Sequence, residues 1–321
     1  MYFFHFIHTL CPRGYIATTM ALNLHIKYLA SFVHYCIIFS LQKNKGSYFI
    51  FCLNSSYIQM KKDENHLTSS HNDSVISQFT KQAIPFAQMS QHSNQHGLDL
   101  MLKLCSPKQN DTVLDVACGS GIVSCEFAKI VYRVTGIDLT PAMIEQARLL
   151  QQEKQIENID WNIGDVSDLP FDDNMFSIIA TRYSFHHMIE PKKVLEEMKR
   201  VCIPGGKIMV IDVTPDEDKV DAYNYVEKLR DSSHTKALTF SQLESMMKEA
   251  GLVNLESRHH DLEMQLEKIL QSSFPNSEDI DKINQLFRED LTKNNLGMRS
   301  HSKPEGIYFY FPISMIIGNK T

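Results

Sequence analysis

The sequence predicts a doubly wound α/β domain, and three observations carry that prediction. Five short apolar runs between residues 111 and 213 are rich in β-branched residues and are separated by stretches of helical period. The runs are almost continuously apolar instead of alternating, as strands buried on both faces of a parallel sheet must be. Glycines or helix-capping residues stand where strand gives way to helix.

Taken in order, "SVISQFTKQAIPFAQM" (74–89) and "SNQHGLDLMLKLC" (93–105) fit amphipathic helices. "DTVLDVAC" (111–118) is the first strand, and "GSGIVSCEFAKIV" continues as a helix opened by glycines. "RVTGIDL" (133–139) is the second strand, followed by a helix in which Thr140 is a good N-cap and Pro141 takes the first helical position. "NIDWNIGD" (158–165) and "FSIIATRY" (176–183) are the third and fourth strands, with the turn-rich "LPFDDN" between them. A helix over 191–202 is stopped by "IPGG", and "GKIMVIDV" (206–213) is the fifth strand. Two further helices cover 220–231 and the stretch from a cap at Thr239 to a stop at Gly251. "LVNLESRH" (252–259) and "GIYFYFPISMIIG" (306–318) are strands, and the polar stretch 261–303 between them reads as a helical insertion beside the sheet.

At 321 residues and 43% hydrophobic, the chain can bury a full core. Its formal net charge of -6 argues against a general nucleic-acid-binding surface and favours a small-molecule partner. The seven cysteines are odd in number and scattered, which reads as a reduced, cytoplasmic protein. Residues 1–59 differ from the rest: they contain no Asp or Glu, four basic residues, and thirteen of the thirty Phe and Tyr. Two readings of this extension stand. Either translation begins at Met60, leaving a domain over 60–321 with its core at 106–258, or the extension is a leader that lies on a membrane surface or binds a partner. Its most apolar stretch, "LASFVHYCIIFSL" (29–41), is shorter than the roughly 20 residues that a spanning helix needs, so membrane association would come only through surface contact there.

In such folds ligands bind outside the carboxyl ends of the strands. There Gly119 and Gly121 let the backbone turn and approach a ligand closely, and Asp115, Asp138 and Asp165 stand near the ends of strands one, two and three. A carboxylate after strand two suits a ribose diol, because it only accepts hydrogen bonds and the hydroxyls can donate them. A carboxylate after strand three can accept from an exocyclic amine. A nicotinamide dinucleotide fits part of this pattern, but its fingerprint needs a third small residue that only Ser124 offers.

The ordered set "VLDVACGSG", "VTGIDLTPAMIEQA", "GDVSDLPFDDNMFSIIATR" and "VLEEMKRVCIPGGKIMVID" resembles the class I S-adenosylmethionine-dependent methyltransferases, in the branch that includes the ubiquinone and menaquinone biosynthesis C-methyltransferases. The resemblance covers roughly residues 73 to 258 and, more loosely, the last strand. It implies a Rossmann-like sheet of seven strands, mostly parallel with an antiparallel last strand, and helices on both faces. It also implies S-adenosyl-L-methionine as methyl donor and a small-molecule methyl acceptor, with the helices before residue 105 and the 215–305 segment as substrate lid. By that resemblance Asp115, Gly119, Ser120 and Gly121 line the methionine end of the cofactor. Asp138, with Leu139 beside it, holds the ribose, Asp165 and the backbone of Val166 sit at the adenine, and Arg182 faces the cofactor after strand four. Ala117 replaces the first glycine of the strict family pattern. A protein that binds the cofactor as a sensor, without transfer, would carry the same motifs.

"TRYSFHHM" (181–188) sets Tyr183, His186 and His187 at the mouth of this cleft as candidates for a general base or for packing. Neighbouring histidines on an extended chain diverge, so neither this pair nor His259 and His260 is expected to hold a metal. Asp168, Asp172 and Asp173 read as turn residues, and Cys118 as a small buried residue and not a nucleophile.

Overall fold

The computed structural model describes residues 36–43, 47–88 and 95–321, with side chains for 68–85, 87 and 95–321. Residues 1–35, on which most of the predicted extension falls, lie outside the described residues. The chain divides into two compact units, Met1–Leu67 and Thr68–Thr321. In the first, β1 (Cys36–Lys43) and β2 (Ser47–Asn54) pair as an antiparallel hairpin, and α1 (Ser55–Gln88) begins. Sequence analysis does not anticipate the hairpin, because apolar runs without a period of two cannot be told from helix.

The second unit follows the predicted alternation. After α2 (Gln95–Cys105) come β3 (Thr112–Val116), α3 (Ile122–Ala128), β4 (Arg133–Asp138), α4 (Pro141–Glu153), β5 (Ile159–Ile163) and β6 (Phe176–Arg182). Next are α5 (Pro191–Val201), β7 (Cys202–Val213), α6 (Val220–Arg230), α7 (Phe240–Glu249) and β8 (Leu252–Gln265). The chain ends with α8 (Leu266–Ser273), α9 (Ser277–Lys293), β9 (His301–Lys303) and β10 (Gly306–Lys320). The sheet order is β5-β4-β3-β6-β7-β10-β8, with β9 paired to the outer part of β10. Strands β3 to β7 run parallel, and β10 enters antiparallel between β7 and β8.

The near-continuous apolar strands have the expected cause, since both faces of the sheet are covered. Along β6 and β7, Ile178, Ala180, Met209 and Ile211 join one core with Leu98 and Met101 of α2, Phe127 of α3 and Phe287 of α9. The alternate residues Ile179, Ile208 and Val210 join the other core with Leu195 and Met198 of α5 and Leu243 and Met247 of α7. Helix α7 opens with the capping box that Thr239 predicts: its hydroxyl accepts from the Gln242 amide while the Gln242 side chain accepts from the Thr239 amide.

Three local expectations change. Residues 261–265 belong to β8 and not to a helical insertion, because "DLEMQ" alternates: Leu262 and Met264 are buried. The "IPGG" stretch is already part of β7, which begins at Cys202 directly after α5. Thr140 does precede α4 and Pro141 opens it, but the Thr140 side chain makes no capping bond.

Trp161 of β5, the single tryptophan, packs against two glycines beside the carboxyl ends of the strands. A Cβ on Gly136 would lie 2.5 Å from its ring, and one on Gly121 2.6 Å from it. The Gly136→Ala variant is therefore expected to lose about 1–3 kcal/mol of stability through overpacking. Denaturant unfolding followed by tryptophan fluorescence measures this, and a midpoint equal to that of the parent protein would refute the packing argument.

Candidate active site

The strand ends meet a backbone that turns sharply. After β3, Ala117, Gly119 and Gly121 take left-handed conformations, with φ of 55°, 52° and 79°. The alanine that replaces the first glycine of the pattern thus adopts a geometry glycine favours. At Gly119 a Cβ would meet nothing within 4 Å, so this edge of the turn faces open space. The Gly119 amide donates to one oxygen of Asp138 at 2.9 Å, and the Thr140 amide donates to the other at 2.8 Å. Burial pushes the Asp138 carboxyl up in pKa, and these two bonds oppose that shift.

Asp115 on β3 is buried and accepts from the Ser124 hydroxyl at 2.6 Å. Burial drives its pKa from 3.8 to about 7 against the pull of Ser124 and Arg182. Asp165, beyond β5, behaves differently. Burial favours its neutral form, but the Ser167 amide and the Asn72 side chain, each donating at 2.8 Å, hold the carboxyl below its ordinary range.

These groups line one cleft of about 160 Å³ that opens to solvent at its mouth. Gly119, Ser120, Leu139 and Val166 line it with the three aspartates and Arg182, and Gly121 stands just behind at the N-cap of α3. From Thr68 onward α1 supplies one wall through His71, Asn72, Val75 and Phe79. Arg182 lies 4.8 Å from the Tyr183 ring centre. Burial raises the Tyr183 pKa, so its hydroxyl stays neutral and makes a poor base.

Where the sequence suggests diverging histidines, Phe185–His187 forms a 3-10 turn that brings the two rings to 4.2 Å between centres. The turn, and not a pleat, sets the side-chain directions. The two rings have separate partners. His186 Nδ1 meets Asp212 Oδ1 at 2.6 Å, and the His186 amide donates to the other Asp212 oxygen at 3.1 Å. Burial alone would lower the His186 pKa, but the Asp212 charge and hydrogen bond raise it overall. His187 meets the Ser233 hydroxyl at 3.1 Å and Phe79 edge-on at 4.9 Å, and burial beside His186 pushes its pKa down to about 3.

His259 and His260 do lie apart: His259 bonds Ser314, while His260 sits against Gly97. Among the described residues no group of three His, Cys, Asp or Glu side chains could hold a metal ion. Asp173 pairs with Arg200 in the predicted loop, and burial raises the Cys118 thiol well above its usual pKa. Sequence reasoning missed Asp212, although the rule that selected the first three aspartates applies equally to an acidic residue at the end of the fifth strand. It also missed His71, Asn72, Tyr223 and Arg230, whose places depend on how the helices pack.

A methyltransferase domain family matches residues 114–210. The chain is 32% identical over 170 residues to the uncharacterized methyltransferase YcgJ of Bacillus subtilis, covering 52% of this chain and 67% of that protein. It is 35% identical over 117 residues to the ubiquinone/menaquinone biosynthesis C-methyltransferase UbiE of a Ruegeria species, covering 36% and 47% respectively. It thus spans about half the length of that relative. The crystal structure of YcgJ superposes with a TM-score of 0.66 at 26% identity, over 71% of this chain and 99% of YcgJ. A putative methyltransferase from Bacillus halodurans gives 0.63 at 27%, over 70% and 98%. No helix among the described residues is long and apolar enough to cross a membrane. The glycine turn, the acidic strand ends and the antiparallel β10 therefore agree with the comparisons, and the chain belongs to the class I S-adenosylmethionine-dependent methyltransferase family.

Proposed function

We propose that the chain transfers the methyl group of S-adenosylmethionine to a small-molecule acceptor in the cytoplasm, using a domain that follows the 1–59 extension. The observation that carries this reading is the row of three carboxylates, Asp115, Asp138 and Asp165, at the ends of adjacent parallel strands around an open glycine turn. In this reading Asp115 faces the donor's ammonium. Its carboxyl is held up in pKa by burial, a state that a cation reverses. Asp138 uses one acceptor site on each oxygen for Gly119 and Thr140 and keeps lone pairs for the ribose hydroxyls. Asp165 and Val166 face the adenine, and Gly119, Ser120, Gly121, Leu139 and Arg182 complete the site. The bound donor supplies an electrophilic methyl group. The chain supplies alignment and exclusion of water.

A nicotinamide dinucleotide fits less well, because Arg182 is the only lysine or arginine lining the cleft among the described residues, against three aspartates and Glu190. The acceptor does not carry over from the UbiE match, which covers less than half of that enzyme.

Calorimetric titration with S-adenosylmethionine tests the assignment. Asp138→Ala is expected to weaken binding tenfold or more, the loss of a charge-assisted hydrogen bond. Circular dichroism checks that the variant is folded, and unchanged affinity would sink the ribose role. Asp115 makes a second prediction through its protons. With its folded pKa near 7 against 3.8, its contribution to stability is full below about pH 4 and fades as the pH rises to about 7. Asp115→Asn should flatten that fall in the unliganded protein. Donor binding at pH 6 should release protons, read from calorimetry in buffers of different ionisation enthalpy. Binding without proton release would remove the ammonium from Asp115.

A further inference from the structure

Behind the cleft lies a second cavity of about 80 Å³ that shares Phe79, Tyr183 and His187 with it. Its wall is apolar, from Leu262, Ile269, Phe311 and Ile313. Its other lining is polar and buried. Tyr223 is fully buried and its hydroxyl has no hydrogen-bond partner among the described residues. Arg230 and Glu227 form an ion pair at 2.6 Å, and His186 lines the same space. Asp212 commits Nδ1 of His186, which leaves Nε2 as the ring atom able to exchange a proton with an occupant. Burial and the neighbouring His186 keep His187 neutral at its pH of use, so it does not compete for that proton.

A buried phenol without a partner is rare and points to a ligand or water that the protein itself does not supply. The cavity is also small. At about half the volume of a site that encloses a whole benzene ring, it admits the hydroxyl edge of one compact ring seated across the boundary it shares with the cleft at Tyr183 and His187, and not a fused bicycle. A histidine held in one tautomer by a buried carboxylate serves a nucleophile that must lose a proton. The groups that face that histidine are the carboxylates of Asp212 on β7, Glu227 on α6 and Asp231 just beyond it, the Arg230 guanidinium, and His187 and His234, which burial keeps neutral.

We propose that this cavity is the acceptor subsite, that Tyr223 anchors a compact acceptor bearing a weakly acidic hydroxyl, of the single-ring phenol or enol class, and that His186 takes the acceptor's proton. The proposal rests on the methyltransferase reading. The acceptor's proton passes to His186 Nε2 while its electron pair forms the bond to the donor methyl, whose bond to sulfur breaks with the pair left on a neutral thioether. Asp212 is a positioning residue, since it acts through the imidazole.

Calorimetry of the full-length protein loaded with S-adenosylhomocysteine, titrated with phenol, catechol and 1,4-dihydroxynaphthalene, tests the subsite without turnover. The single-ring compounds should bind and the bicycle should not. Tyr223→Phe removes an unpartnered hydroxyl and should fold, yet it should weaken phenol binding tenfold or more with donor affinity unchanged. Ile269→Phe, which adds a ring to the cavity wall, should also lower phenol affinity and spare the donor. His186→Gln should keep phenol affinity but remove the phenolate absorbance that the loaded parent protein shows on phenol binding, since transfer of the phenol proton to the imidazole exchanges none with the buffer. Unchanged phenol affinity in Tyr223→Phe, or no binding of any single-ring phenol to the loaded protein, overturns the subsite and leaves the methyltransferase reading standing. Failure of the parent protein to bind S-adenosylmethionine or S-adenosylhomocysteine removes the reading beneath it.

Discussion

The Asp138 carboxylate, shared between the amides of Gly119 and Thr140, is the interaction on which the site's geometry depends. It stands at the end of β4 and reaches across to the turn after β3, so two adjacent strand ends are fixed to one side chain. That turn needs the restraint. Three of its five residues between 117 and 121 hold left-handed dihedrals, one of them an alanine, and such backbone persists only where its surroundings over-determine it. The same carboxylate orders the first turn of α4, where the Thr140 hydroxyl makes no cap. Since an ionised carboxylate has about four lone-pair sites, holding two amides leaves it able to hold a ligand as well.

The acids of the site and its surroundings then divide by what they lack. Asp165 and Asp212 are satisfied within the chain, by Asn72 and Ser167 and by His186. Asp115 has one donor in Ser124, and burial outweighs the pull of Ser124 and Arg182, which leaves it largely uncharged below neutral pH. Tyr223 has none among the described residues. Incomplete partnering is costly in an interior; Asp115 and Tyr223 line cavities, whereas His234, His260 and Ser300, which also hold buried polar atoms without partners among the described residues, line neither. The Glu227–Arg230 pair follows the same logic: a buried ion pair adds little net stability, so its place in a cavity wall is better understood as fixing polarity there.

Much of this was legible in the sequence where local rules act alone. The five parallel strands, the capping box at Thr239, the glycine turn and the carboxylates at three strand ends follow from period, cap chemistry and the strand-end rule. Legibility ends where a side chain's place depends on the packing of distant elements. Asn72 reaches Asp165 across 93 positions, and Tyr223 becomes an unpartnered phenol only because α6 packs it beside Phe311. The histidine pair illustrates a different limit. Extended geometry separates neighbouring side chains, but one 3-10 turn reverses that and sends His186 to Asp212 and His187 to Ser233.

Tyr183 lines both cavities. It follows directly on Arg182 at the end of β6 and takes φ 58°, a conformation disfavoured for an aromatic residue. Its amide is held by the Ile211 carbonyl of β7 at 2.7 Å, and its ring lies under the Arg182 guanidinium, so the strained residue is fixed from two sides. An extended Tyr183 would continue the pleat of β6. The left-handed turn instead stops the strand and lets the chain enter the 3-10 turn within two residues. The cost of one unfavourable dihedral thus places Arg182 toward the cleft and His186 toward the inner cavity, with Tyr183 lining both. That arrangement is what in-line transfer between two bound molecules requires of the protein: separate pockets that meet at one wall.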